Sequence, residues 1–317
     1  MNNNYLGILA IVLGTVCFSI NDISVKLFST EMPLHQLMFF RATFAICILL
    51  FLILPFYGGL KFLNTNNPGF HIFRGLAVVG ANTFFFISIA ELSLAEATAI
   101  FFIAPILITV FAVFFLEEKV GIRRSLACLI GFLGMLFIIK PGSISFNLIS
   151  LFPLIAALFY TALHIITRKY GAQEKPLTMG FYIQVCFLIT SLMFASGFYI
   201  ADANGGQSKA LTFLTGSWVS VNTFDLLHIF VGIAFPISIG GVLVSYAYKN
   251  FEASFLAPFE YGALIIAVMS TYFIWNEIPD NLSLIGITLI MFSGIFVSIR
   301  EKQVSSIRSS RKIIHRR

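Results

Sequence analysis

Charged side chains occur inside stretches that are otherwise apolar, and these residues are the best placed to do chemistry. Asp22 and Lys26 lie four residues apart in the first apolar stretch, and Arg41 lies in the second. An ionisable group in hydrocarbon is costly, so such residues face a partner, a wet cavity or a substrate. Asp22 and Lys26 can pair along one helix face. Alternatively, Arg41 competes for Asp22, leaving a charge for substrate, and its guanidinium can hold a carboxylate through two hydrogen bonds.

Polar and aromatic residues of the second half form another group of candidates. Glu260 has no cation at helical spacing, so we expect it to face the interior or a wet cavity. There it can exchange a proton or, alternatively, accept hydrogen bonds from a neighbouring helix. His164 fits a proton relay or a hydrogen-bonded packing residue, and Gln184 can offer hydrogen bonds. Tyr160 and Tyr261 suit the lining of a site, because a phenol in hydrocarbon seeks a partner. The candidates for substrate binding or coupling are therefore Asp22, Arg41, Tyr160, His164, Gln184, Glu260 and Tyr261.

The apolar stretches that carry these residues are long enough to cross a membrane. Hydrophobic residues make up 58% of the chain and charged residues 11%, whereas soluble domains carry about a quarter charged residues. A membrane-spanning helix needs about 20 mainly apolar residues. Apart from residues 201–225 and the tail, the connections are short. We predict ten spans, at residues 5–28, 34–56, 69–90, 93–115, 122–140, 148–167, 177–200, 226–248, 252–275 and 281–299.

The net charge of +6 is distributed in a way that favours a membrane protein over a nucleic-acid-binding one. Most basic residues fall on one set of loop ends, among them Lys61, Arg123 and Lys169, and in the tail 300–317. Cytoplasmic loops of membrane proteins carry an excess of Lys and Arg. This predicts that both termini are cytoplasmic and that the basic tail lies against anionic lipid.

The two halves of five predicted spans share motifs in the same order. Residues 26–33 and 169–176 both consist of a lysine, six further residues and a proline. The sequence Glu96-Ala97-Thr98 matches Glu252-Ala253-Ser254, and each is followed by a proline, Pro105 or Pro258. An odd number of crossings per half inverts the second copy, as in transporters that expose a central site to each side in turn. The fold class predicted is an all-α membrane protein of ten helices in two inverted five-helix repeats. The predicted units are a first repeat (6–139), a second repeat (148–299) and a cytoplasmic tail (300–317).

The symmetry between the halves is broken at the charged candidates. Asp22 aligns with Ile165, and Arg41 aligns with Gln184. We therefore predict that the substrate site lies at the positions where one repeat carries a charge and its counterpart in the other repeat is uncharged.

Other functional classes lack their sequence signatures. The chain has no zinc-protease helix motif, no nucleophile elbow and no phosphate-binding loop, so neither an enzyme nor an ATP-driven pump is expected. The cysteines all fall inside predicted spans, which disfavours disulfides and zinc sites, and no catalytic residue, metal or cofactor is predicted. A channel would favour polar or charged rings around a pore, whereas this chain has scattered single polar groups.

Several motifs together resemble the drug/metabolite transporter superfamily, in its ten-span type built from two EamA domains. They are Phe40-Arg41, Glu96-Ala97 with Pro105, the sequence Phe115 to Glu118, Gly131-x-x-Gly134, Glu252-Ala253 and Asn276-Glu277. The resemblance covers residues 6–139 and about 150–299. It implies a secondary carrier of the bacterial inner membrane, often proton-linked, for a small organic metabolite. Monomer and homodimer both stay open.

The substrate is the least determined property. Residues 258–261 and 272–280 most resemble S-adenosylmethionine uptake carriers of intracellular bacteria, which makes S-adenosylmethionine the first candidate. Riboflavin uptake and export of amino acids or other metabolites by the same fold are alternatives. A membrane channel is the alternative from another functional class.

Overall fold

The computed structural model describes residues 3–57, 59–116, 122–142, 146–170, 174–201, 206, 208–250, 256 and 259–296. All regular structure in these residues is helical. The predicted tail 300–317 lies outside the described residues, as does the motif at 252–258 except for Leu256.

The helices follow the predicted spans closely. In the first half they are α1 (Asn3–Phe28), α2 (Leu34–Cys47), α3 (Pro68–Ile89), α4 (Leu94–Phe101), α5 (Ala104–Leu116) and α6 (Ile122–Ile139). In the second half they are α7 (Phe152–Tyr170), α8 (Pro176–Ile200), α9 (Lys209–Thr215), α10 (Thr223–Ile229), α11 (Phe235–Asn250), α12 (Gly262–Trp275) and α13 (Asn281–Phe296). A π-helix (Ile48–Ile53) extends α2, and another (Phe230–Ala234) joins α10 to α11.

Several of these helices can cross a membrane by length and composition. Among the described residues, seven segments qualify: Tyr5–Phe28, Leu34–Phe56, Pro68–Ile89, Leu94–Phe115, Leu148–Thr167, Leu177–Ile200 and Thr223–Val244. Three shorter apolar helices fall on the remaining predicted spans: Leu126–Ile139, Gly262–Trp275 and Asn281–Phe296. The molecule is therefore an all-helical, multi-pass membrane protein, and the count of ten crossings stays a prediction.

Local sequence signals explain where helices begin and end. Ser93 accepts a hydrogen bond from the Glu96 backbone amide at 3.2 Å and so caps the start of α4. Pro68 and Pro176 occupy the first turns of α3 and α8, where a missing amide costs nothing. At the other end of α12, Asn276 adopts the left-handed conformation (φ 57°) that terminates helices.

Helices of one half pack mainly against helices of the other. Helix α1 packs on α11 and α12, and α7 packs correspondingly on α3 and on the α4–α5 pair. Helix α2 packs on α8, and α4 packs on α12. If each predicted span is replaced by its counterpart in the other half, the contact of α1 with α11 becomes that of α7 with α3, and the contact of α2 with α8 is unchanged. The interior of the bundle is therefore shared by both halves.

Glycines permit the closest of these approaches. A methyl group built on Gly134 of α6 would lie 2.8 Å from the Gly286 carbonyl oxygen of α13. One built on Gly240 of α11 would lie 2.9 Å from Cys17 of α1, whereas Gly241 has no such neighbour within 4 Å. Small residues let membrane helices approach through their backbones, where van der Waals contact replaces the missing hydrophobic driving force.

The long connection at 201–225, in which the hydropathy pattern predicts no span, contains the short helix α9. Ala210 and Phe213 of α9 are buried in the main core. The Ala210 amide donates to Glu91 Oε2 at 3.2 Å, and Gln36 forms two hydrogen bonds with Val219. The segment closes one end of the bundle.

Candidate functional site

Two helices that the predicted repeat would pair with each other are interrupted where they meet. Helix α4 ends at Phe101 and α5 begins at Ala104, with a turn at Phe102 and Ile103 between them. Tyr261 forms a turn immediately before α12. The rings of Phe102 and Tyr261 lie 4.9 Å apart, so the two interruptions touch. Interrupted membrane helices are typical of transporter substrate sites, because their free helix ends and unpaired backbone groups face the cavity.

A cavity lies beside these interruptions, between helices of both halves. Its empty volume is about 210 Å³. Among the described residues that line it, Asp22 alone is charged. The space inside it that a water molecule can occupy is only about 10 Å³, far below the roughly 300–1,000 Å³ of ligand pockets, so a metabolite fits only if the surrounding helices move apart. It is lined by Ser19, Asp22 and Ile23 of α1, Leu94 and Thr98 of α4, and Ala263, Ile266 and Ala267 of α12.

Lys26 does not neutralise Asp22. The Lys26 ammonium donates to the Leu92 carbonyl at 2.7 Å, lies 4.0 Å from Glu277 Oε2 and stands 4.9 Å above the Trp275 ring. Asp22 instead accepts a hydrogen bond from the neighbouring Asn21 amide at 2.8 Å. Of the two sequence-based alternatives, the geometry therefore favours the one in which Asp22 belongs to the cavity.

Arg41 is the cation that Asp22 attracts. Its side chain is only 2% exposed, and Nη1 donates to Asn82 Oδ1 at 3.1 Å. The guanidinium lies 4.8 Å from the ring centre of Phe187 and 5.7 Å from that of Phe86, and it interacts electrostatically with Asp22. Within the described part of the chain, Nε has no hydrogen-bond partner. Arg41 is thus held by two aromatic rings and the side-chain amide of Asn82, and its Nε remains able to donate a hydrogen bond.

Besides Arg41 Nε, five buried polar atoms of the described residues lack hydrogen-bond partners, and three of them belong to α1 and α8. These three are Ser19 Oγ, Asn21 Oδ1 and Gln184 Oε1. Gln184 lies on α8, which packs against the helix that carries Arg41. Buried polar atoms without partners are few in native proteins, and water or a ligand usually satisfies them. Acceptors and a donor are therefore available on α1, α2 and α8 for a polar ligand.

Tyr160, His164 and Glu260 form a second group. The rings of Tyr160 and His164 are 4.4 Å apart, edge to face, and Tyr160 lies 5.3 Å from the Phe101 ring at the end of α4. Glu260 is partly buried and acts electrostatically on Tyr160. His164 is exposed, so this group is not sealed inside the protein.

Tyr261 is placed differently from the other predicted residues. It is 3% exposed, and in the described structure its hydroxyl oxygen has no hydrogen-bond partner. A methyl group built on Gly294 of α13 would overlap that oxygen. The ring therefore fills the space between Phe102 and α13 and supports the interruption of the helix rather than facing the cavity.

Comparison with known proteins decides the family. A model of the EamA-like transporter family matches residues 5–140. An S-adenosylmethionine uptake transporter of Rickettsia felis is 30% identical over 295 residues, covering 93% of both chains. That of Rickettsia conorii is 31% identical over 294 residues, covering 92% of both chains. This chain belongs to the EamA-like transporter family. The sequence-based resemblance is confirmed.

More distant matches of this EamA-like transporter agree with the assignment. A riboflavin transporter of Vibrio cholerae is 24% identical over 303 residues, covering 94% of this chain and 95% of that one. A solved crystal structure aligns with a TM-score of 0.58 and 16% identity over 93% of this chain and 96% of that chain, a likeness that concerns the fold alone. The transporter is a multi-pass protein of the bacterial inner membrane.

Sequence reasoning about this transporter missed a polar cluster at the other end of the bundle from Lys26. His71 Nε2 lies 3.2 Å from Glu174 Oε2, and Thr65 donates to Glu174 Oε1 at 3.0 Å. Tyr182 stacks on His71 at 4.5 Å. The repeat alignment pairs Glu174 with Glu31, but it contains no signal for a partner a hundred residues away.

Asn82, Phe86 and Phe187 were missed for a related reason. They orient Arg41 from α3 and α8, yet in the sequence they are one amide and two of many phenylalanines. Asn82 is a polar residue within a predicted span, which is the one signal that could have found it.

Proposed function

We propose that this protein is a secondary transporter that takes up S-adenosylmethionine by alternating access. The observation that carries the proposal is a pair of opposite charges, Asp22 and Arg41, held between the two halves beside the cavity. S-Adenosylmethionine has an amino-acid end with an ammonium and a carboxylate, so both charges would find partners. Riboflavin has neither group, and the full-length Rickettsia relatives add further support for S-adenosylmethionine.

Each charge has a defined role in this proposal. Arg41 binds the carboxylate through Nε and a neighbouring amino group, since a guanidinium matches a carboxylate geometrically. Asn82 and the two phenylalanine rings fix the guanidinium plane before substrate arrives. Asp22, oriented by Asn21, binds the ammonium. The free energy lost by burying two incompletely paired charges is recovered when substrate binds.

The alternating-access part of the proposal is supported by the arrangement of the halves. Ten helices in two inverted repeats, at residues 6–139 and 148–299 with cytoplasmic termini, would place the cavity on the pseudo-two-fold axis. Polar contacts join the halves at each end: Lys26 with Glu277 at one end and His71 with Glu174 at the other. Each set must break in turn to open the contracted cavity to one side.

Counterflow into liposomes tests this function. Vesicles containing purified protein and unlabelled S-adenosylmethionine should accumulate the labelled compound transiently, with a rate that saturates. Arg41→Gln and Asp22→Asn should each lower that rate at least tenfold, whereas Lys61→Gln, which removes an exposed charge, should not. Labelled flux that rises linearly with concentration would indicate a channel instead.

The same vesicles separate the alternatives. Inhibition by riboflavin but not by S-adenosylmethionine would assign riboflavin as substrate, and inhibition by amino acids alone would favour an amino-acid carrier. An imposed pH gradient tests proton coupling, which the family resemblance implies. If protons are coupled through His164, His164→Ala should abolish the effect of the gradient while exchange continues.

A further inference from the structure

The polar cluster around His71 and Glu174 joins the two halves of the transporter through buried side chains. The His71 and Glu174 side chains are 1% and 10% exposed, and His71 Nε2 lies 3.2 Å from Glu174 Oε2. Thr65, which precedes α3, donates to Glu174 Oε1 at 3.0 Å. Tyr182 of α8 donates to the Leu63 carbonyl at 3.3 Å. Each of these contacts connects the first half with the second.

The hydrogen bonds of the cluster determine which nitrogen of His71 carries the hydrogen when the ring is neutral. The Thr65 hydroxyl donates its one hydrogen to Glu174, and its oxygen accepts from the Asn67 amide at 3.0 Å. An ionised carboxylate can only accept. His71 Nε2 lies 3.1 Å from the Thr65 oxygen and 3.2 Å from Glu174, so Nε2 must be the donor to both. In the neutral ring, Nδ1 is then the nitrogen without a hydrogen.

Nδ1 of His71 is therefore the atom to which a proton can add. It is buried, and within the described part of the chain it has no hydrogen-bond partner. Addition of a proton makes the ring an imidazolium and turns the bond to Glu174 into an ion pair, and such charge-assisted bonds are about twice as strong as neutral ones. The Tyr182 ring stacks on His71 at 4.5 Å, and an aromatic face attracts a cation.

Other charged groups near the cluster leave Glu174 in contact with His71. Arg74 follows His71 by one turn of α3, but its Nε donates to Thr167 at 3.0 Å and its Nη1 donates to the Met179 carbonyl at 3.0 Å. Further charged or titratable groups on the elements packed around this end are Lys61 of the preceding 3-10 helix (Leu60–Leu63), His164, Lys169 and Tyr170 of α7, Lys175 beside Glu174, and Tyr182 and Cys186 of α8. Glu174 supplies the carboxylate that touches the ring.

We infer that His71 and Glu174 form a proton-sensitive latch that holds this end of the transporter closed. A proton at Nδ1 strengthens the latch, and its loss leaves the carboxylate with neutral donors only. Histidine is the side chain that ordinarily changes charge between about pH 5 and 8. The latch rests on the proposed function, in which the two ends open in turn. If the positive loops are cytoplasmic, a fall in cytoplasmic pH keeps the inner end shut and slows the release of substrate.

Thermal unfolding of the purified protein in detergent tests the latch without requiring transport. The imidazolium–carboxylate pair exists only in the folded protein, so its stabilisation is present at low pH and is lost as the pH rises. The Tm of the parent should exceed that of His71→Gln by a margin that grows by about 2–4 °C between about pH 8 and pH 6. In a Glu174→Gln background, which keeps an acceptor but no charge, the margin should no longer grow.

A second histidine provides the matched control. His228 is exposed and lies at the other end of the bundle, where its ring is 5.1 Å from that of Phe28. The Tm difference between the parent and His228→Gln should stay constant with pH. A margin for His71→Gln that is equally constant would overturn the latch.

Cysteine labelling tests whether the latch controls opening. In inside-out vesicles, and in a variant whose four cysteines are replaced, Thr98→Cys in the cavity lining should react with an impermeant maleimide only when the inner end opens. Its rate is divided by that of the exposed Lys61→Cys, which cancels the pH dependence of the thiol itself. This ratio should fall severalfold as the pH is lowered from about 8 to about 6, and adding His71→Gln should make it independent of pH.

The outcomes separate the latch from the proposed function. A labelling ratio that is independent of pH in the parent would overturn the latch, and so would an equal fall in His71→Gln. Exchange of S-adenosylmethionine by the vesicles in that case would leave the proposed function intact. Conversely, a pH-dependent ratio that requires His71, in a protein that does not exchange S-adenosylmethionine, would support the latch and reject the proposed substrate.

Discussion

Arg41 shows how one residue can be recognisable in sequence while its working geometry is not. A lone arginine in an apolar span signals function because hydrocarbon penalises its charge. Its position between Phe86 and Phe187, with Asn82 as partner, depends on three helices meeting. A planar guanidinium stacks on rings and bonds in its plane at the same time, which a lysine ammonium cannot do.

We therefore expect Arg41→Lys to keep the positive charge but to lose the planar arrangement of donors that the guanidinium provides. The ammonium keeps the attraction to Asp22 but cannot bind a carboxylate through two donors. We expect counterflow of S-adenosylmethionine to fall about tenfold, mainly through a higher KM. The variant should purify like the parent, because no like charge or cavity is introduced. A KM equal to that of the parent would show that Arg41 does not bind the carboxylate.

At the scale of the element, helix interruptions and close helix–helix contacts determine the structure around the cavity more than helix propensity does. The residues Ser93-Leu94-Ala95-Glu96 fit a capping box, and Ser93 caps the start of α4. The interruption before α12 arises at Tyr261, which immediately follows Glu260. Its ring is wedged between Phe102 and Gly294, so packing maintains the turn.

The contact of α6 with α13 predicts a large effect of a small substitution. In Gly134→Ala the new methyl group would lie 2.8 Å from a backbone carbonyl and 2.9 Å from Leu289, so the helices must separate. We expect a loss of about 1–3 kcal/mol in stability, seen as a lower Tm in detergent. Gly180→Ala is the matched control, since nothing lies within 4 Å of its new methyl group. That control should be neutral or stabilising, and similar Tm losses in both variants would contradict the packing explanation.

Asp280, at the start of α13, predicts a pH-dependent contribution to stability. Hydrogen bonds from the Lys140 ammonium and the Ser283 amide lower the pKa of Asp280 from 3.8 to about 2. Because the folded pKa lies below the unfolded one, this stabilisation is present above pH 3.8 and is lost as pH falls through about 2.

Asp280→Asn keeps the acceptor for the Ser283 amide and removes the charge. Its Tm should lie below that of the parent at pH 7, and the difference should shrink as the pH approaches about 2. The effect should be modest because the Asp280 side chain is 55% exposed. Lys140→Met should abolish the difference, and a Tm gap that is independent of pH would exclude the ion pair as its source.

At the scale of the whole molecule, the halves interlock. The pairs formed by α1 with α11 and by α7 with α3 correspond under exchange of the halves, and the cavity lies between them. The polar contacts at the two ends differ in chemistry, with a lysine–glutamate pair at one end and a histidine–glutamate pair at the other. In the proposed alternating-access mechanism, opening of either end therefore requires relative movement of the halves.

The orientation of the molecule predicts a labelling pattern. In a variant whose four cysteines are replaced, Lys61→Cys should react with an impermeant maleimide only after the cells are permeabilised. Lys209→Cys should react in intact cells, because both positions are exposed and they lie at opposite ends of the bundle if the positive loops are cytoplasmic. Labelling of Lys61→Cys in intact cells would invert the proposed topology.

The sequence by itself determined the all-helical membrane class, close bounds for most helices and the charged candidates Asp22 and Arg41, because hydropathy and the cost of buried charge act locally along the chain. Tertiary structure decided that Lys26 binds Leu92 and Glu277 rather than Asp22. It also decided that Tyr261 packs against Gly294, that the Tyr160 ring contacts the Phe101 ring, and that α9 packs on the end of the bundle. These outcomes depend on which distant helices meet, and no local pattern of residues specifies such contacts.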